Sequence, residues 1–182
     1  MTKMLQVFKN NYLKKFLKSH KVLRNKQMVS LEKAKTIGLV AIITDEDSYK
    51  LIFSIFTKLQ SHDRNVRLMC YIDDKIVPHY CLSQLKADYF CKKNLNWFGK
   101  PDFVQMNDFL EIDFDILIDL TETPFPSVQY ILAQSKAKFI TGTLPDLKEY
   151  YDLFIQLEYP NDKYEIIKNI QLYTKKLNGE CN

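Results

Sequence analysis

Four carboxylates and one hydroxyl have the types and placement that chemistry would need: Asp45, Asp73, Asp119 and Glu122, with Thr121 between the last two. Each follows a short apolar run, and in open α/β sheets the carboxyl ends of such runs are where sites form. Acids gathered there can hold phosphate through Mg2+, so the catalytic reading of the set is a metal-assisted phosphoryl or nucleotidyl site. The competing reading is structural. Asp, Thr and Glu at helix starts accept hydrogen bonds from free backbone N–H groups and suit the helix dipole, which is their commoner use. We therefore expect no cofactor, with Mg2+ as the alternative, and favour a binding or adaptor protein over an enzyme.

Other chemistries find less support. The first strand-to-helix turn reads Thr44-Asp45-Glu46-Asp47, and four glycines in the whole chain leave no phosphate-cradling loop. Acids at that turn repel a pyrophosphate, so no dinucleotide is expected. Ser48, Ser54 and Ser127 lack a nucleophile-elbow context, and His20, His62 and His79 stand singly. Cys70, Cys81, Cys91 and Cys181 show no C-x-x-C pairing and read as reduced thiols.

Two stretches point to recognition instead. The segment from Lys93 to Pro101 contains Asn96, Trp97 and Phe98, either a recognition loop or one pinned to the body by its aromatic pair; packing is the preferred reading. The second stretch is amino-terminal. From Met4 to about Leu23, Leu5, Phe8, Tyr12, Leu13, Phe16 and Leu17 recur at helical spacing, and Lys14, Lys15, Lys18 and Lys21 gather mainly on the other side. Residues 1–35 hold ten Lys or Arg against the single acid Glu32, a net of +9, while the whole chain carries +4 and the remainder is therefore at −5. A basic amphipathic arm over residues 1–30 can lie on an anionic membrane, with Phe8 and Phe16 toward the acyl boundary, or contact RNA phosphates through its lysines. The same stripe can simply dock on the domain.

The elements that must position these residues follow from periodicity. Thr36 to Ile43 and Asp113 to Leu120 are apolar runs too short for helices and read as strands buried on both faces of a parallel sheet. Thr44 is the expected N-cap of a helix ending near Leu59, and Val66 to Ile72 completes a βαβ unit. Ala87 to Cys91 is a short third strand, Val104 to Leu110 a weak helix, and a helix begins after the central strand, at Glu122 or Thr123 or as late as Pro126. Ala137 to Gly142 is the next strand, with Asp152 to Leu157 a candidate sixth, and Ile166, Ile167, Ile170, Tyr173 and Leu177 line a final helix. The result is one three-layer α/β domain over residues 31–182, a doubly wound, mainly parallel, Rossmann-like sheet of five or six strands in the order 3-2-1-4-5. Its expected core includes Ile37, Leu39, Ala41, Leu68, Cys70, Ile116, Ile118, Phe139 and Ile140.

Several segments carry a resemblance: Ala34-Lys35-Thr36-Ile37-Gly38, Leu95-Asn96-Trp97-Phe98-Gly99-Lys100-Pro101, Phe114-Asp115-Ile116-Leu117-Ile118-Asp119-Leu120 and Ser135-Lys136-Ala137-Lys138-Phe139. With the basic helix, they resemble an uncharacterised family of small single-domain proteins from Bacteroidota, which implies no activity. Phe114 to Leu120, the helix after it and Ala137 to Gly142 are more distantly similar to the amino-terminal half of heptosyltransferase-type glycosyltransferases. That similarity implies a Rossmann-like sheet, with a degenerate glycosyltransferase-like half domain as an alternative function. No signal peptide or membrane span is visible, so the expected location is the cytoplasm, peripheral on the inner membrane if the arm binds there.

Overall fold

The computed structural model describes residues 11–13, 15–19, 22–60, 63–81, 84–157 and 162–179. Phe8, Lys14, Lys21 and Cys181 lie outside the described residues. Six strands form one sheet: β1 (Thr36–Ile43), β2 (Asn65–Ile72), β3 (Ala87–Cys91), β4 (Ile116–Asp119), β5 (Ile140–Gly142) and β6 (Leu153–Phe154). Their order is β3-β2-β1-β4-β5-β6, and every pairing is parallel. The sixth strand is thus present, although only two residues long. The strand order reverses between β1 and β4, where Ile37 pairs with Ile116 and Val40 with Asp119.

Side chains alternate across the pleat, so β1 feeds two cores. Ile37, Leu39, Ala41 and Ile43 pack with Ile52, Ile55 and Phe56 of α1 (Glu46–Leu59) and with Ile166 and Ile170 of α4 (Lys163–Leu177). Val40 belongs to the opposite core, with Met106 and Phe109 of α2 (Val104–Leu110) and Val128 and Ile131 of α3 (Pro126–Gln134). On that side a Cβ at Gly38 would stand 2.6 Å from Leu117 Cδ1 and 3.0 Å from the Phe114 ring, so the close approach requires glycine. All nine residues expected in the core are buried.

Residues 11–13 and 15–19 are helical and lie against this second face. Leu13 and Leu17 are buried among Met106, Phe109, Val128 and Ile131, with Phe16 packed beside them. The connector behind them is tied down as well. Arg24 donates from Nε to the Ala137 carbonyl at 2.7 Å and forms an ion pair with Asp152, which also holds Lys26 at 2.8 Å. The Gln27 backbone N–H bonds the Lys138 carbonyl, and that of Leu31 bonds Thr174 Oγ1.

Several local boundaries are narrower than expected or shifted, β4 among them, which is restricted to Ile116–Asp119. The N-cap of α1 is Asp45 rather than Thr44: its carboxylate accepts from Ser48 N at 2.7 Å, and Ser48 Oγ accepts from Asp45 N. Of the two expected starts for the helix after β4 the later, Pro126, is the one observed, so Glu122 and Thr123 lie in a bend before it; proline disfavours helical backbone in the residue before it and is well suited to the first helical position. β5 is restricted to Ile140–Gly142. If the amino-terminal helix is part of the fold, Leu13→Ala leaves a cavity and lowers unfolding free energy by about 2–5 kcal/mol, measurable by urea denaturation.

Candidate functional site

At the carboxyl edge of the sheet the acids are each partnered separately. Asp45 is spent on the cap of α1, and hydrogen bonding from the Ser48 backbone, then from its hydroxyl, holds its carboxyl below the usual value. Asp73, at the end of β2, accepts from Tyr71 Oη at 3.0 Å and pairs with Lys92 at 3.0 Å. Glu122 pairs with Lys163, the first residue of α4. Among the described residues no group of three or more His, Cys, Asp or Glu side chains could hold a metal ion. Strand ends placed side by side do not suffice, because each side chain turns to a partner of its own, local for Asp45 and distant in sequence for Asp73, Asp119 and Glu122.

Asp119 is the unusual member. It is 1% exposed, accepts from Tyr151 Oη at 2.6 Å, and takes the Thr121 backbone N–H at 2.9 Å. Burial raises its carboxyl above the usual 3.8, opposed by the hydrogen bonds from Tyr151 and Thr121. Tyr151 is held in place by glycine: a Cβ at Gly142 would fall 2.5 Å from the Tyr151 ring. Thr121 is itself 2% exposed. Tyr151 and Lys163 were not among the expected site residues. Tyr151 gives no local signal, but Lys163 does, since a lysine in the first turn of a helix opposes the helix dipole.

The aromatic loop divides its three residues among three tasks. Asn96 builds the turn, its side-chain oxygen accepting from Phe98 N at 2.9 Å and Lys100 N at 3.1 Å, and Gly99 closes it with φ +82°. Phe98 stacks on Tyr12 at 3.7 Å between ring centroids, which joins the loop to the amino-terminal helix. Trp97 is 64% exposed. Lys100 Nζ lies 5.2 Å from the Phe16 ring centroid and 5.1 Å from that of Tyr130, and Lys15 and Lys18 face solvent. Helix and loop are therefore joined through Phe98, and Lys15, Lys18 and Trp97 are exposed. No helix among the described residues is long and apolar enough to cross a membrane.

The profile of DUF6913, a family of unknown function, matches residues 6–177, nearly the full length. No curated protein and no solved structure matches.

Raised in the fold above 3.8, the Asp119 carboxyl favours folding while protonated, and that contribution is lost as pH climbs from 3.8 through its folded value. Asp119→Asn removes the titration. The melting temperature of the wild type should consequently fall relative to that of the variant as pH is raised from 4 to 8; parallel curves would show that Asp119 titrates normally.

Proposed function

We propose that this chain, which belongs to DUF6913, a family of unknown function, is a binding module that holds to an anionic membrane surface through the outward face of its amino-terminal helix and the adjoining loop. One observation carries this reading. The apolar stripe of the helix, Leu13, Phe16 and Leu17, packs in the core, while Lys15 and Lys18 are exposed and Phe98, the chain neighbour of the exposed Trp97, stacks on Tyr12 of the same helix.

Such an attachment is mainly electrostatic. Each lysine near an anionic bilayer contributes about 1 kcal/mol, within a range set by screening, and an interfacial indole adds a contact at headgroup depth. The described part of the stripe is occupied by the sheet, so lysines and Trp97 take over the role that insertion of Phe16 would have had. The separately paired acids at the sheet edge favour binding over catalysis.

Flotation with phosphatidylglycerol-containing and purely phosphatidylcholine vesicles tests this. The wild type should float only with anionic vesicles and detach as salt is raised. Lys15→Gln with Lys18→Gln should weaken binding by about 30-fold, equivalent to about 2 kcal/mol, and Trp97→Ser should weaken it further. Failure to float, or retention of RNA instead with a salt-dependent affinity, overturns the membrane reading.

A further inference from the structure

A second feature lies at the point where the strand order reverses. Between the carboxyl ends of β1 and β4, the first turns of α1 and the start of α4 is a cavity of about 130 Å³. Leu51, Ile52 and Leu120 give it apolar walls, and Thr123, Glu122 and Lys163 line it too. Open α/β sheets bind ligands in the crevice at this switch point.

Lys163 is the anomaly in the lining. Its side chain is 6% exposed, and it occupies the first position of α4, where the helix dipole disfavours a cation. An ammonium has three N–H donors, yet among the described residues the only acceptor for Nζ is Glu122 Oε1. Glu122, in contrast, is half exposed and can move. A buried charge with a single acceptor among the described residues, in a position that local rules oppose, is a departure for which function is the usual reason.

We infer that this cavity binds a small apolar α-amino acid, with the ligand carboxylate on Lys163, its ammonium on Glu122, and its side chain against Leu51, Ile52 and Leu120. Opposite charges side by side match the two ends of a zwitterion, and the hydrocarbon wall matches a short aliphatic group. The size is suitable: an apolar cavity of about 150 Å³ accepts benzene, six heavy atoms, so about 130 Å³ takes alanine, also of six, and takes valine, of eight, with its ammonium outside at the half-exposed Glu122. This site is independent of the basic surface.

Differential scanning fluorimetry and calorimetric titration of the full chain with L-alanine and L-valine test the inference. Both should bind saturably and raise the melting temperature, whereas valine methyl ester and isobutylamine, which lack the carboxylate, should not. Lys163→Met should weaken binding at least 100-fold while circular dichroism remains unchanged. Glu122→Gln, which keeps the size of the side chain and is confirmed folded by circular dichroism, should weaken valine binding at least tenfold and leave 2-hydroxyisovalerate unaffected. No saturable binding of either amino acid to the wild type, equal binding of the methyl ester, or full binding by a folded Lys163→Met overturns the assignment.

Discussion

An all-parallel sheet leaves no face for water, and the rest of the structure follows from that constraint. One face of this sheet is covered by α1 and α4, 14 and 15 residues long. The other receives α2 and α3, of seven and nine residues, and Leu147 of the turn Pro145–Tyr150. These short elements are supplemented by Leu13, Phe16 and Leu17 of the amino-terminal helix, which join the same core. The use of the apolar stripe is therefore set by the sheet. Once it docks, the lysines opposite it face outward.

The connector shows the same economy of charge. Asp152 takes the Ile140 backbone N–H at 2.9 Å and the cations of Arg24 and Lys26, so one carboxylate anchors the amino-terminal segment to β5. Formal charge thus overstates the charge free to meet a partner: of the ten basic residues in the first 35, Arg24 and Lys26 already serve the fold. Buried or semi-buried pairs of this kind hold geometry more than they add stability.

At the opposite edge, glycine and aromatic packing decide which acid is buried. Because Gly142 has no side chain, Tyr151 lies against β5 and directs its hydroxyl to Asp119. Asp119 is drawn inward, while Glu122, three residues later, turns to Lys163. Neighbouring acids are thereby committed to different partners, and the surface left between β1 and β4 is a mixed cavity rather than a ring of carboxylates.

The sequence by itself determined the sheet. Uniformly apolar runs such as Thr36–Ile43 can only be buried strands, and their alternation with helical periodicity dictates parallel pairing, so the order of β1 to β5 and the core positions were legible. Cap identity was legible only to within one residue, because Thr44, Asp45 and Ser48 can all hydrogen-bond the same turn. Tertiary structure alone decided the contacts made across long separations: Tyr151 on Asp119, Lys163 on Glu122, Phe98 on Tyr12, and the docking of Leu13 and Leu17. Periodicity says which face of an element is apolar. What covers that face, and which partner a carboxylate chooses, depends on where the chain returns in three dimensions.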